Sequence, residues 1–250
     1  MSIRILLSND DGVYAPGLKA LARELRRIGE LTVIAPNSDQ SSVSHSLTLN
    51  RPLRIKNHGD GVYSVDGTPT DCVTLAFHKL LRRRPPQLVI SGLNHGANMG
   101  EDVTYSGTVA AAIEGTIMGV PAIAASMTAA DIQGKSFLSA ARFIRRLIAK
   151  TQGLMPKNTL LNINFPKMPS GGYKQYEITR LGKRVYKDII STNTDPRGKS
   201  YFWIGGEPTW ERTNETDAGA VGRGLVSITP LNIDMTDEAL LAKMRQWRLV

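Results

Sequence analysis

Two adjacent aspartates, Asp10 and Asp11, follow an apolar run near the start of this 250-residue chain. Two ionised carboxylates held side by side repel each other unless a cation or a proton lies between them. Carboxylates, hydroxyls and amide carbonyls are hard oxygen donors that suit Mg²⁺, Mn²⁺ or Ca²⁺. The pair therefore indicates one arm of a divalent-metal site, with Mg²⁺ or Mn²⁺ preferred. The alternative is a simple turn, because Asn, Asp and Gly dominate turns and residues 9–12 are Asn-Asp-Asp-Gly.

A second candidate element is the small-residue segment Ser106, Gly107 and Thr108, which leads into a helical run. The exposed N–H groups of a helix N-terminus bind phosphate. Equally, Ser106 or Thr108 could be an ordinary N-cap with no ligand. A third element is the glycine-rich segment 91–100, which lets a ligand approach the backbone closely. Of the four histidines, only His45 and His95 fall in such loops and are plausible acids or bases.

Several chemistries are disfavoured by what the sequence lacks. The single cysteine, Cys72, excludes a disulfide or a cysteine-based zinc site within one chain, and its apolar helical surroundings indicate a buried structural thiol. There is no Gly-x-Ser-x-Gly elbow, no Gly-x-x-x-x-Gly-Lys-Ser/Thr loop and no Gly-x-Gly-x-x-Gly fingerprint. Esterase, NTPase and dehydrogenase functions are therefore disfavoured.

The net charge of +9 raises the question of nucleic-acid binding. The basic groups are short and scattered, at residues 82–84, 145–146 and 183–184, and aromatic residues do not alternate with them. They indicate solvated surface charge or attraction of small anions rather than a dedicated nucleic-acid partner. The apolar run at residues 3–7 is too short for a signal peptide, and no window reaches the roughly 20 apolar residues of a membrane span. We expect a cytoplasmic protein with no membrane partner.

Apolar runs alternate with helical patterns through the first half of the chain. The pattern predicts strands at 3–7, 31–35, 87–91 and 122–126, and helices at 17–28, 71–81, 109–118 and 137–150. This alternation is typical of a Rossmann-like, doubly wound α/β fold with a mostly parallel sheet. Alternating segments between Leu47 and Val65 predict an antiparallel hairpin on the flank of the sheet.

The pattern changes to strands and turns from Leu160 to Ile228, which predicts a β-rich C-terminal extension. Residues 234–247 predict a short final helix with Thr236 as its N-cap. We therefore divide the chain into a core, residues 1–130, that binds metal and phosphate, and a C-terminal subdomain, residues 131–250, made of a helix and β-structure.

Polar residues follow three of the predicted strands, at Asp10 and Asp11, at residues 38–44 and at Asn94. In a parallel sheet these positions are all carboxyl ends. Ligands of open α/β sheets bind outside those ends, where the strand order reverses. The topology therefore predicts that the three segments meet in one crevice.

A series of motifs closely resembles the SurE survival-protein family. They lie at residues 5–12, 35–36, 46–48, 67–72, 91–94 and 105–110, with further landmarks at 161–166 and 226–230. The resemblance implies metal-dependent hydrolysis of nucleoside 5′- and 3′-monophosphates, with some action on short polyphosphates. It also implies a homodimer or homotetramer in which part of the C-terminal half is exchanged between subunits and serves oligomerisation.

Matched motif by motif, the resemblance implies one divalent cation per subunit held by Asp10, Asp11, Ser41 and Asn94. Asp10 and Asp11 would also be the catalytic residues. Ser41 is selected among the serines of its loop by its distance from Pro36. The family often has a basic residue where this chain has Gln40, so substrate contacts from this loop are expected to differ. We expect the substrate phosphate to be bound by Asn98, Ser106, Gly107 and Thr108.

The sequence leaves the mechanism and some alternatives open. The attacking group is either water or one of the two aspartates, which would form an aspartyl phosphate. An alternative enzyme is a phosphatase that prefers polyphosphate or another phosphorylated anion. A non-hydrolytic nucleotide-binding regulator and a nucleic-acid-binding module are alternatives from other classes. Adjacent Asp10 and Asp11 argue against both, because uncompensated carboxylates repel phosphate.

Overall fold

The computed structural model describes residues 2–129, 134–151, 154–185, 190–205, 209–211 and 213–247. Its strands are β1 (Ile3–Ser8), β2 (Gly29–Pro36), β3 (Ile55–Asn57), β4 (Val62–Val65), β5 (Leu88–His95), β6 (Ala122–Met127), β7 (Leu160–Phe165), β8 (Tyr176–Ile178), β9 (Arg184–Val185), β10 (Ile190–Thr194), β11 (Ser200–Ile204), β12 (Thr209–Trp210) and β13 (Val226–Leu231). Its α-helices are α1 (Pro16–Leu25), α2 (Pro69–Leu75), α3 (Gly107–Ile117), α4 (Lys135–Thr151), α5 (Asp217–Gly222) and α6 (Glu238–Met244).

A nine-stranded sheet organises the molecule, in the order β3-β4-β2-β1-β5-β6-β7-β13-β8. Strands β4, β2, β1, β5, β6 and β7 run parallel, with β3 antiparallel at one edge and β13 antiparallel to β7 near the other. From β1 the chain builds the sheet first toward β4 and then, from β5, in the opposite direction. The predicted doubly wound α/β fold is confirmed, and the strand order reverses between β1 and β5.

Successive side chains of β1 point to opposite faces of the sheet, and both faces are covered. Leu7 packs in the core under α1 and α4, whereas Leu6 packs in the core under α2 and α3. Burial on both faces explains why residues 5–7 of β1 are all apolar rather than alternating with polar residues. Cys72 of α2 is fully buried, and burial, assisted by the charge of Asp71, raises the pKa of its thiol well above the usual value. The predicted structural thiol fits this position.

The predicted hairpin is confirmed, since β3 and β4 pair antiparallel. The predicted helix 71–81 begins two residues earlier, because Thr68 and Asp71 form a capping box, and it continues beyond Leu75 as a π-helical turn, Ala76–Leu80. The predicted N-cap of the last helix is wrong by one residue. Asp237 caps α6 by accepting from Leu240 N at 2.8 Å.

The C-terminal strands divide between the main sheet and its surroundings. Strands β7, β13 and β8 extend the nine-stranded sheet, whereas β10–β11 and β9–β12 form two small antiparallel pairs outside it. The predicted boundary between residues 130 and 131 lies within 130–133, outside the described residues, so the division into two subdomains stays a prediction. Among the described helices, none is both long and apolar enough to cross a membrane.

Candidate active site

Asp10 and Asp11 lie just beyond the end of strand β1, at the point where the strand order of the sheet reverses. Asn9 Nδ2 donates to Gly12 O at 3.0 Å and closes a turn directly after β1. Gly12 has a φ of +97°, a conformation that favours glycine. The turn expected from the residue types is therefore present, and Asp10 and Asp11 lie within it. Asn9 Oδ1 is buried without a hydrogen-bond partner in the described structure.

Both carboxylates are held where ionisation is costly. Burial raises the pKa of Asp10 to about 6, and the neighbouring charge of Asp11 adds to the effect, although a hydrogen bond from Thr108 opposes it. Burial also raises the pKa of Asp11, against the hydrogen bond from His95 N to its Oδ2 at 3.4 Å. Nearby Asp39 contributes a further negative charge at Asp11. A cation between the two carboxylates would relieve this cost.

The start of helix α3 packs directly against Asp10. A Cβ at Gly107 would lie 2.8 Å from Asp10 Cβ and 3.1 Å from Asp10 Oδ2, so only glycine allows this approach. Ser106 is the N-cap, since its Oγ accepts from Val109 N at 3.1 Å. The fully buried Thr108 donates its hydroxyl to Asp10 Oδ1. The backbone N–H of Thr108 also donates to the Asp10 carboxylate.

The loop after β2 brings Ser41 to the site. Gln40 N donates to Asp10 O at 2.9 Å, which ties this loop to the end of β1. Ser41 donates both its hydroxyl, at 2.6 Å, and its N–H, at 2.7 Å, to Asp39 Oδ1. The donated proton leaves the lone pairs of Ser41 Oγ for a cation.

The glycine-rich segment supplies two asparagines. Strand β5 extends beyond the predicted residue 91 to His95, with a register shift between Ser91 and Asn94. Asn94 Nδ2 donates to Gly96 O at 2.9 Å, which leaves Oδ1 for a ligand. Asn98 is buried, and its Nδ2 donates to Ser126 Oγ at 2.7 Å.

These elements border one cleft with a volume of about 670 Å³. Five predicted site residues line it, namely Asp10, Ser41, Asn94, Asn98 and Ser106. The other three adjoin it: Asp11 accepts from His95, which lines the cleft, and Gly107 and Thr108 contact Asp10. The end of β1, the loop after β2 and the end of β5 therefore meet at one cleft, as the sheet topology predicts.

The cleft also contains side chains that the sequence did not single out as site residues. Arg184 of β9 lines it, and its guanidinium pairs with Asp102, which lines it as well. Residues 183–184 were interpreted as surface charge, and no sequence signal linked them to the site. Of the two loop histidines, His95 lines the cleft, whereas His45 Nε2 lies 2.9 Å from Glu114 Oε2.

The donor set fits a hard divalent cation. No three His, Cys, Asp or Glu side chains of the described residues converge on a possible metal position, so Asp10 and Asp11 need neutral oxygen partners. Ser41 Oγ and Asn94 Oδ1 are such oxygens. A further amide oxygen, Asn9 Oδ1, belongs to the residue before Asp10 and is buried with no hydrogen-bond partner in the described structure. Carboxylate, hydroxyl and amide oxygens suit Mg²⁺ or Mn²⁺ rather than a thiophilic ion.

Comparisons with known proteins agree with this architecture. The family model described as "Survival protein SurE" matches residues 5–188. The chain is 48% identical over 250 residues to the 5′-nucleotidase SurE of Geobacter sulfurreducens, covering 99% of this chain and 94% of that protein. It is also 48% identical to the 5′-nucleotidase SurE of Pelobacter propionicus, covering 98% and 99%. The solved structure of the SurE protein from Aquifex aeolicus superposes with a TM-score of 0.84 at 38% identity, covering 96% of this chain and 98% of that one. The chain therefore belongs to the SurE family.

Proposed function

We propose that this chain is a divalent-metal-dependent 5′-nucleotidase, which hydrolyses nucleoside 5′-monophosphates, and also 3′-monophosphates, to nucleoside and phosphate. The observation that carries the proposal is the contact between the Asp10 carboxylate and the start of α3 inside the cleft. This contact supports the proposal, because Asp10, a proposed cation ligand, lies beside a helix N-terminus, the kind of site at which phosphate binds. Relatives named 5′-nucleotidase SurE, which match nearly the whole chain, support the substrate class.

One divalent cation per subunit, Mg²⁺ or Mn²⁺, would be held by Asp10, Asp11, Ser41 and Asn94. When bound, it supplies the positive charge that stabilises a phosphoryl group in the transition state. Thr108 fixes the orientation of Asp10 through its hydroxyl.

The remaining groups of the cleft bind the substrate phosphate. The first N–H groups of α3, at Gly107 and Thr108, have no partner within the helix and lie at its terminus, where phosphate binds. The Thr108 N–H would be shared between the phosphate and the Asp10 carboxylate. Ser106 and Asn98 line the same cleft. Arg184 adds a guanidinium, which offsets the repulsion between the carboxylates and the phosphate. Asp102 holds that guanidinium in place.

Water is our preferred attacking group, with an aspartyl phosphate as the alternative. The two routes differ in stereochemistry, because direct attack inverts the configuration at phosphorus and two successive displacements retain it. Hydrolysis of a nucleotide with a chiral, isotopically labelled thiophosphate distinguishes them. We expect inversion, and retention would assign the nucleophile to Asp10 or Asp11.

The substitution Asp10→Asn tests the function. It keeps the shape of the side chain and removes one ligand charge, so phosphate release from AMP with Mn²⁺ should fall by about 10²-fold or more. A chelator should abolish the wild-type activity, and the circular dichroism spectrum should not change. Near-normal turnover by Asp10→Asn would contradict the proposed metal site. Faster hydrolysis of tripolyphosphate than of AMP would favour the polyphosphatase alternative.

Assembly into a homodimer or homotetramer is part of the proposal. The β10–β11 hairpin exposes a set of large apolar side chains, namely Ile190, Tyr201, Phe202, Trp203 and Ile204. No residue of α6 is buried in the described chain. Clusters of exposed large apolar side chains mark interaction sites, and a second subunit would cover this one. We also propose a cytoplasmic location.

A further inference from the structure

A buried carboxylate on α3 is bonded to two other segments of the chain. The side chain of Glu114 is only 7% exposed. Its Oε2 lies 2.9 Å from His45 Nε2, and its Oε1 accepts from Thr74 Oγ1 at 2.9 Å. Because an ionised carboxylate can only accept, Nε2 of His45 carries the proton of this bond. Three segments, the loop of His45, helix α2 and helix α3, therefore meet at one side chain.

Glu114 is ionised in this arrangement. Burial raises the pKa of Glu114, but the hydrogen bonds from His45 and Thr74 and the charges of His45 and His78 lower it, so the pKa lies below its usual value. Hydrogen bonds to an ionised acceptor are stronger than those between neutral groups. The bond from His45 is thus a firm attachment, although the histidine side chain itself is 35% exposed.

The attached segment is the loop that carries Ser41, defined here as residues 37–46 and called the Ser41 loop. Ser42 and Ser44 have φ values of 58° and 54°, which residues with a Cβ adopt rarely. Contacts from outside the loop must therefore stabilise this conformation. Ser44 N donates to Tyr105 O at 3.0 Å, just before α3, and His45 adds the bond to Glu114 within α3.

Helix α3 therefore holds both sides of the site. Its first residue, Gly107, packs against Asp10, and Glu114, two turns later, holds the Ser41 loop through His45. We propose that the His45–Glu114 pair is a clamp that positions Ser41 relative to Asp10 for metal binding. Both are positioning residues and neither contacts substrate. The clamp rests on the proposed metal site, and it gives His45 a different role from that of a general acid.

The clamp is tested by measuring Mn²⁺ binding to the folded protein. Binding is monitored by electron paramagnetic resonance, because the signal of free Mn²⁺ decreases as the ion is bound. We expect His45→Ala to weaken Mn²⁺ binding about tenfold, as for other residues that orient metal ligands. Without metal, amide hydrogen exchange of the Ser41 loop should also become faster. His45→Gln should restore much of both properties, because its amide can donate to Glu114.

His58→Ala is the matched control. His58 makes a similar bond, from Nε2 to Ser64 Oγ at 2.8 Å, in the β3–β4 hairpin away from the cleft. We expect it to leave Mn²⁺ affinity and exchange of the Ser41 loop unchanged. In the double variant His45→Ala/Glu114→Gln, the loss should be smaller than the two single losses combined, because both substitutions break the same bond.

The outcomes separate the clamp from the metal site on which it rests. Wild-type protein that binds no stoichiometric Mn²⁺ would overturn the metal site itself. Wild-type binding that Asp10→Asn removes and that His45→Ala leaves unchanged would overturn the clamp alone. An equal loss in His58→Ala would also overturn it. If His45→Ala fails to fold, Glu114→Gln carries the test. It removes the charge from the acceptor of the His45 bond, so we expect weaker Mn²⁺ binding and faster exchange of the Ser41 loop, and wild-type values for both would overturn the clamp.

Discussion

Gly107 is the position at which a single methyl group should damage catalysis most directly. The added Cβ in Gly107→Ala would lie 2.8 Å from Asp10 Cβ, whereas carbon atoms in contact are separated by about 3.5 Å or more. The start of α3 or the Asp10 carboxylate must therefore shift by roughly 0.7 Å. Because a 1 Å misplacement can cost about 10²-fold in rate, we expect kcat to fall by about 10- to 100-fold. This corresponds to roughly 1.4–2.7 kcal/mol of transition-state stabilisation.

The same helix offers a matched control in Gly115→Ala. Its added Cβ would lie 2.6 Å from Val89 Cβ, in the core and away from the cleft. Overpacking should lower the free energy of unfolding by about 1–3 kcal/mol. The higher helix propensity of alanine should offset roughly 1 kcal/mol of this loss. Phosphate release from AMP at saturating Mn²⁺ gives kcat, and thermal unfolding gives the stability. Wild-type kcat in Gly107→Ala, or an equal loss of kcat in both variants, would refute the proposed role of this contact.

Three further predictions concern the cleft and the assembly. Arg184→Gln should raise KM for AMP about tenfold through loss of a charge-assisted bond to phosphate, whereas the exposed Arg26→Gln, which makes the same charge change, should leave KM unchanged in steady-state assays. Thr108→Val should lower kcat and reduce the unfolding free energy by about 1.5 kcal/mol through loss of its bond to Asp10. Thr108→Ser keeps the hydroxyl and should restore both. A fully active valine variant would contradict the role of this bond. Phe202→Ser combined with Trp203→Ser should reduce the mass measured by light scattering, and an unchanged mass would count against assembly through the hairpin.

The sheet and the meeting point of the three site segments could be predicted because local patterns carry that information. Residues 5–7 of β1 are buried on both faces of the sheet, so they appear in the sequence as a short apolar run, and the alternation with helices implies a parallel sheet. Once the sheet is parallel, Asp10 and Asn94 must emerge at the same edge.

The residues at which helices begin and end were less predictable. The N-cap of α6 is Asp237 rather than Thr236, because Thr236 N donates to Asp234 and lies in the preceding turn.

The pairings within the site could not be predicted, because they join residues far apart in the chain. Arg184 reaches Asp102 across 82 positions, and a short basic group has no local feature that distinguishes a cleft residue from a surface one. The bond between Thr108 and Asp10 spans 98 positions, and that between His45 and Glu114 spans 69. Thr108, a candidate for phosphate binding, donates its hydroxyl to Asp10, and His45, one of two histidines considered as an acid or base, lies against Glu114.

The structural and functional interpretations of the site motifs do not exclude each other. Asn9 and Gly12 form the turn, which leaves the carboxylates of Asp10 and Asp11 to act on a ligand. Likewise Ser106 caps α3 by accepting from Val109 N, which leaves the N–H groups of Gly107 and Thr108 beside Asp10. The residues that build each backbone feature differ from those that present chemistry. A turn and a cap are therefore the means by which this sheet edge holds the Asp10 carboxylate against a helix terminus, with Asp11 next to it in the chain.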